Sequence, residues 1–250
     1  MSKKIASGAQ KIVLDVTCGS GAFMKSKESA EELAKEMIEI GELANRETVC
    51  ILTNMDEPLG YAVGNSLEVI EAIDFLKGNM PEDLKEVVLE LGAYMIKLAG
   101  KGENISENKI KMIENIKNGK GYEKFLQLIE NQGGDISYIK DVNKFPKAKY
   151  VEKLYSIKSG YIKNMDAKRI GEIVCELGAG RVRKEDGIDN SVGIILNKKV
   201  SDNIKEGEEL VTIYANSEEK LVKAKKDLLN VIHVTEEKIS KPKMILEIVE

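Results

Sequence analysis

Short apolar runs alternate with longer amphipathic stretches along this chain, and that rhythm predicts most of its elements. Ile12, Val13, Leu14 and Val16 form a β-branched-rich run, punctuated by Gly19 and Gly21. Such a run reads as a buried strand leaving a sheet at a tight turn. Ser29 and Glu32 then have the spacing of a helix-capping pair, and Ala30, Leu33, Ala34, Met37 and Ile38 recur at helical period. Thr48 to Thr53 is a second apolar run. Strand, helix and strand in this order predict a right-handed parallel crossover. A loop broken by Pro58 and Gly60 leads into a helix over 66–76, carrying Leu67, Val69, Ile70, Ile73 and Leu76. Pro81 and Asp83 open the clearest helix, in which Leu84, Val87, Val88, Leu91, Met95, Leu98 and Ala99 form one stripe read as core packing. Two shorter helices, over 106–117 and 122–131, stop at Asn118-Gly119 and Gly133-Gly134.

The texture changes after a polar stretch, Asp135 to Lys149, that holds Pro146. Short strands are predicted over 150–154, 160–163, 192–196 and 210–215, with a turn at Glu206-Gly207-Glu208 and helices over 167–177 and 217–230. The predicted class is α/β. Residues 1–147 would form the remnant of a mixed or parallel central sheet flanked by helices, and residues 148–250 a smaller C-terminal α+β domain. At the start, Lys3, Lys4, Ile5, Ala6 and Ala9 read as the last turns of a helix ending near Gly8, which implies that a segment precedes Met1.

Composition narrows the function classes. The chain has 250 residues, 42% hydrophobic and 32% charged, with net charge -4. Basic and acidic residues are interleaved, so no nucleic-acid patch is expected. No apolar run approaches the roughly 18 residues that span a membrane, and Met-Ser-Lys-Lys-Ile-Ala lacks the apolar core of a signal peptide. Cys18, Cys50 and Cys175 are dispersed and odd in number. They suit neither a disulfide framework nor a zinc site, and the expected location is cytoplasmic. His233 is the single histidine, read as structural, so triads and multi-histidine metal sites are out of reach.

Three polar features could carry chemistry. Asp15 breaks the first apolar run next to its carboxyl end, where open α/β sheets place ligands. It reads equally as a carboxylate held by the turn amides. Glu68 and Glu71 lie three apart and share a helix face. A solvated acidic face is the favoured reading of that spacing; the other is Glu71 turned back on the preceding loop, closing an oxygen cage for a hard cation with backbone carbonyls. Gly178-Ala179-Gly180-Arg181 reads as a helix stop followed by a surface arginine, ahead of an anion site.

Two family resemblances compete. Val13-Leu14-Asp15-Val16-Thr17-Cys18-Gly19-Ser20-Gly21 resembles the strand and glycine loop of Rossmann-like methyltransferases. That alternative would make the Asp15–Gly21 loop an S-adenosylmethionine site, with Asp56 as the ribose-binding acid. The later motif of the nucleic-acid enzymes in that group, an Asn or Asp before two prolines, is absent; none of the four prolines is adjacent to another. A single glycine motif is weak evidence. The second resemblance runs nearly end to end, in order. It comprises Ser2-Lys3-Lys4-Ile5-Ala6, Gly19-Ser20-Gly21-Ala22-Phe23-Met24, Pro58-Leu59-Gly60-Tyr61-Ala62, and Gly64-Asn65 with Leu67-Glu68-Val69 and Glu71-Ala72. Gly133-Gly134-Asp135, Ala148-Lys149-Tyr150-Val151, Leu177-Gly178-Ala179-Gly180-Arg181, Val192-Gly193, Lys198-Lys199-Val200, Gly207-Glu208 and Thr212-Ile213-Tyr214 complete it. With these residues the chain is similar to the C-terminal portion of the pyrimidine-nucleoside phosphorylase family, which includes thymidine phosphorylases.

That resemblance implies phosphorolysis: inorganic phosphate attacks the anomeric carbon of a pyrimidine nucleoside, releasing the base and a pentose 1-phosphate. It assigns Lys3 to the departing pyrimidine, where negative charge grows in the transition state. It assigns the carbonyls of Leu59 and Ala62 and the carboxylate of Glu71 to a monovalent cation, potassium in several members. No catalytic residue beyond these binding groups is carried over. Thr17 stands where the family usually has Lys, and Cys18 where it has Thr or Val. Family members also have a long region before the position of Met1, supplying the phosphate loop and much of a homodimer contact. The resulting expectation is a truncated or split portion, inactive alone, whose partner is the N-terminal half or a second copy of the full-length protein.

Overall fold

The computed structural model describes residues 1–181 and 183–250. In chain order the first part runs α1 (Ser2–Ala6), β1 (Lys11–Cys18), α2 (Lys27–Leu43), β2 (Glu47–Asn54), β3 (Ala62–Val63), α3 (Asn65–Leu76), α4 (Glu82–Leu98), α5 (Ile105–Lys117), α6 (Lys120–Asn131) and α7 (Ile136–Lys140). The second part runs β4 (Tyr150–Tyr155), β5 (Gly160–Met165), α8 (Ala167–Val174), β6 (Gly193–Leu196), β7 (Asn203–Ile204), β8 (Glu209–Ala215), α9 (Glu218–Val231), β9 (Ile232–Thr235) and β10 (Ile245–Val249).

β1 and β2 pair in parallel from Lys11↔Glu47 to Cys18↔Asn54, as the strand–helix–strand pattern predicts. β2 is the centre of a three-stranded sheet, with β10 antiparallel on its other edge. Cys50, Ile51 and Leu52 have no exposed surface, because both faces of this strand are covered. One face packs Ile12, Leu14, Val16, Cys50 and Leu52 against Ala30 and Ala34 of α2. The other packs Val49 and Ile51 against Tyr94 and Leu98 of α4. The C-terminal part has a separate, larger core built around Ile162, Ile170, Ile194, Ile213 and Leu228, all with no exposed surface. Its sheets are β3-β6-β8-β4 and β7-β5-β9.

Several local expectations shift. The cap of α2 is Ser26, whose hydroxyl accepts from Ser29 N at 3.2 Å, so Ser29 is the third helical residue and not the start. The buried arc of α4 includes Leu89, Ala93 and Tyr94, while Met95 is 53% exposed and Ala99 caps the helix at the surface. α4 is sandwiched between the sheet and α5, so its buried face is broader than one stripe. Helix α8 passes into a wider-wound turn over Cys175–Ala179 and stops at Gly178, as the glycine there suggests. His233 lies on β9 with its side chain exposed. No helix among the described residues is long and apolar enough to cross a membrane.

Two strands cross between the parts. β10, from the end of the chain, completes the first sheet, and β3 adds to the edge of the C-terminal sheet through Ala62↔Ile195 and Val63↔Ile194. The polar stretch before Tyr150 is therefore not the whole junction; the loop from Met55 to Val63 is also held by the second part.

The cores make a prediction about the thiols. Cys50 is fully buried and burial pushes its thiol up to about 11; Cys18 is buried too, and loss of hydration raises its thiol as well. Native chain treated with an aromatic disulfide reagent should release colour from Cys175 alone, and from three thiols once unfolded. Rapid native reaction at Cys50 would contradict the packing of β2.

Candidate functional site

The glycine turn after β1 is closed by protein. Gly19 has φ +131°, and a Cβ there would run into Asp56 and the Met55–Asp56 peptide. Ser20 N donates to Asp56 Oδ1 at 2.9 Å, and Gly21 N donates to the Met55 carbonyl at 2.9 Å. On its outer side the Ser20 hydroxyl accepts from Ala167 N, the first residue of α8, at 3.2 Å. The turn thus ties β1, the loop after β2 and the C-terminal part together. Asp56, the candidate ribose acid, is spent on this turn. Asp15 accepts from Thr53 Oγ1 at 2.5 Å across the β1–β2 pair, not from the turn amides. Its surroundings push the carboxyl up, and the Thr53 bond partly offsets this. Neither expectation for Asp15 describes this contact.

The loop after β2 carries the cation candidates. Glu71, on α3, reaches back to it: Oε1 accepts from Tyr61 N at 2.7 Å and Ala62 N at 3.2 Å. Gly60 has φ +72°, and a side chain there would collide with the Glu71 carboxylate. Glu68 also turns back, accepting from Gly64 N at 2.9 Å. Glu68 stays exposed, but neither carboxylate is simply solvated: Glu71 collects amides of the loop and β3, and Glu68 the amide of the residue before α3. These amides are orphan donors of the loop and helix start, and a carboxylate at a helix N-terminus is favoured by the helix dipole.

Oxygen atoms remain available on the outer side. β3 is an edge strand. Leu196 N donates to the Tyr61 carbonyl at 2.8 Å, so by strand alternation the Ala62 carbonyl points away from β6, toward the side of Glu71. The Leu59 carbonyl makes no hydrogen bond among the described residues, and Glu71 Oε2 has no donor there. Burial pushes the Glu71 carboxyl up against the pull of the two N–H groups, and Asp83 adds to the rise. Loss of hydration is the leading cause, and the Lys199 charge pulls the other way. Two carbonyls and a carboxylate oxygen are the donors a hard, weakly hydrated cation takes. Among the described residues no group of three or more His, Cys, Asp or Glu is placed to hold a metal ion, so transition-metal chemistry is not what the donor set suits.

Ala62 and Glu71 line a cleft of about 840 Å³, with Tyr61 beside them and Phe145, Pro146 and Tyr214 across it. Leu59, on the same loop, is not among the residues that line the cleft. Lys3 lies elsewhere on the surface of the first part. It is exposed on α1, its ammonium has no partner among the described residues, and it does not line the cleft. The structure brings Glu71 onto the Leu59–Ala62 loop but does not bring Lys3 into contact with them.

One charged group at this loop was invisible in sequence. Lys199 is buried, with its Nζ bonded to the Pro58 carbonyl, 2.9 Å from the Gly60 carbonyl and 2.9 Å from Asp83 Oδ2. A lysine pair before Val200 looks like solvated charge, and nothing local marks residues 57, 83 and 199 as neighbours. The matched Lys198-Lys199-Val200 segment was the available signal.

The fold and loop fall in a known class. Residues 1–122 match the model described as the glycosyl transferase family a/b domain, and residues 161–235 match the pyrimidine nucleoside phosphorylase C-terminal domain. A glycosyltransferase-type α/β domain followed by a phosphorylase C-terminal domain is the class these define. The chain is 51% identical over 218 residues to a pyrimidine-nucleoside phosphorylase of Bacillus subtilis, covering 87% of this chain and 50% of that protein. It is 50% identical over 219 residues to one of Staphylococcus aureus, covering 88% of this chain and 51% of the relative. This chain belongs to the pyrimidine-nucleoside phosphorylase family, and it spans about half the length of the curated relatives it matches.

The methyltransferase alternative is not favoured by these matches, and the glycine turn is filled by Asp56 and Met55. Titration calorimetry with S-adenosylmethionine at millimolar concentration should give no binding heat. A saturable heat lost on changing Asp15 would reopen that alternative.

Proposed function

We propose that this chain supplies the base-facing and cation-facing portion of a pyrimidine-nucleoside phosphorylase. In this reading inorganic phosphate is co-substrate, and the products are a free pyrimidine and ribose or deoxyribose 1-phosphate. The chain divides into the central α/β portion, residues 1–147, and the C-terminal α+β domain, residues 148–250. It acts in the cytoplasm, its partner being the family's N-terminal half or a second copy in a homodimer of the full-length protein. The support is half-identity to the two relatives over nearly all of this chain, joined to one observation: Glu71 folds back on the Leu59–Ala62 loop and, with Ala62, lines a cleft.

Each assigned residue has a task set by its chemistry. Lys3 offers an ammonium to the pyrimidine oxygen on which charge develops as the glycosidic bond breaks. Such a donor lowers the barrier because it binds the departing anion more tightly than the intact nucleoside. Its support is the Ser2-Lys3-Lys4 match and its freedom from any other partner. Leu59, Ala62 and Glu71 hold a potassium ion, which neutralises the half-buried carboxylate and stiffens the loop beside the phosphate. Phosphate must be held against the anomeric carbon for attack, and orientation of that kind is worth several orders of magnitude.

The test is an assay of uracil release from uridine, dependent on phosphate. The 250-residue chain is measured alone and co-expressed with the N-terminal half of the Bacillus subtilis relative. Release is expected in the pair and not from the chain alone. In the active pair, Lys3→Met should lower kcat on the order of 10²-fold. Glu71→Gln should instead weaken the response to potassium relative to choline. Uridine turnover by the chain alone would remove the split-enzyme statement. A folded, associated pair without release would remove the activity.

A further inference from the structure

Lys199 enters the cation loop from the other part of the molecule. It lies between β6 and β7 and is 8% exposed. Around its ammonium stand the Pro58 carbonyl, the Gly60 carbonyl at 2.9 Å, Asp83 Oδ2 at 2.9 Å and Glu57 Oε2 at 3.5 Å. Each partner is itself anchored. Glu57 Oε2 also accepts from Val200 N at 3.0 Å, and Asp83 accepts from Gly60 N at 3.0 Å and Leu84 N at 2.8 Å. Glu57 is 5% exposed and Asp83 6%. Burial pushes the Glu57 carboxyl up, and the Lys199 charge is the largest influence pulling it back.

The geometry divides the loop into two faces. The carbonyls of Pro58 and Gly60 turn inward to Lys199, while the Leu59 carbonyl between them is left without a hydrogen bond. Two carbonyls and two carboxylates around one ammonium form an oxygen cage of the kind a free cation would occupy. Packing alone does not explain a charged group here, because an unpaired buried ammonium is strongly disfavoured and an apolar side chain would fill the space.

We infer that Lys199 is the positioning residue of this loop: a covalently tethered cation whose charge fixes the backbone over residues 57–62. Held so, the loop presents Leu59 and Ala62 outward and keeps Gly60 against the Glu71 carboxylate. For what the loop is aimed at, the inference rests on the potassium site proposed above. The clamp itself does not need that site.

The experiment uses the full 250-residue chain. Proton–nitrogen correlation spectra near neutral pH should show a slowly exchanging lysine ammonium, lost in Lys199→Met. In Lys199→Ala the melting temperature should fall by roughly 10 °C, as expected for an uncompensated buried carboxylate pair in a chain of this size. n-Propylammonium, which restores the deleted carbons and charge, should recover most of that loss; choline should recover none. Lys199→Met, whose side chain fills the channel without charge, should not be rescued.

Absence of a protected ammonium in the unmodified chain would overturn the inference. So would a Lys199→Ala chain indifferent to propylammonium. Should the alanine variant not fold, the ammonium resonance of the unmodified chain decides. Stability of the unmodified chain in potassium against choline is read separately. No response there, with rescue of Lys199→Ala, would remove the potassium site and leave the clamp standing.

Discussion

A single buried ammonium connects the halves of this molecule. Lys199 comes from the C-terminal part and ends among oxygens of the loop after β2 and the first turn of α4. Its neighbours Glu57 and Asp83 are equally out of water. A charge network so placed is expensive to desolvate and contributes only when every member is matched. Here they are matched, by backbone N–H groups on the carboxylates and by carbonyls on the ammonium. The consequence is positional: the loop of Pro58, Leu59 and Gly60 is tied to Lys199 through two carbonyls and to Asp83 through the Gly60 amide. β3, the strand that follows, then meets β6 in fixed register.

The glycine turn after β1 serves the same junction from the opposite side. Its glycines admit the chain at Met55 and Asp56, and Ser20 reaches the start of α8. A glycine-rich turn at the carboxyl end of a parallel strand is shared by cofactor-binding folds because the turn is a solution to backbone crowding. What crowds it differs. In a nucleotide-binding fold a ligand approaches; in this chain another loop does. The motif predicts the close approach and not the identity of what approaches.

Much of the architecture was legible in the sequence. β2 is buried on both faces and β1 chiefly on one, and their parallel pairing followed from the intervening amphipathic α2. The C-terminal strands β4, β5, β6 and β8 announced themselves by short apolar runs between turns. The elements that stayed hidden are those whose existence depends on distant partners. β3 and β7 have two residues each and exist only because β6 and β5 lie beside them. β10 is half-buried along its whole length and carries no alternation, so only its place beside β2 defines it. The α4 stripe was read as one face because period alone cannot see α5 on the other side. At the site, spacing placed Glu68 and Glu71 on one face but favoured water as their partner. The amides at the start of α3 and in the preceding loop won, because an acidic side chain there satisfies donors that the helix cannot.

The arrangement around Leu59 bears on how a short loop can serve an alkali cation. Such ions are held weakly by each oxygen, so affinity depends on oxygens being in place before the ion arrives. A free loop would spread its carbonyls over many directions and lose that advantage. Fixing the Pro58 and Gly60 carbonyls on an internal ammonium leaves the intervening Leu59 carbonyl without a hydrogen bond. The edge position of β3 does the same for Ala62. Glu71 then stands with one oxygen bound to Tyr61 and Ala62 and the other open. Its carboxyl is pushed up mainly by burial, against the pull of two N–H donors and of the Lys199 charge. The Lys199 ammonium itself is committed to the Pro58 and Gly60 carbonyls, Asp83 and Glu57. The potassium ion proposed above would take the oxygens that these bonds leave open.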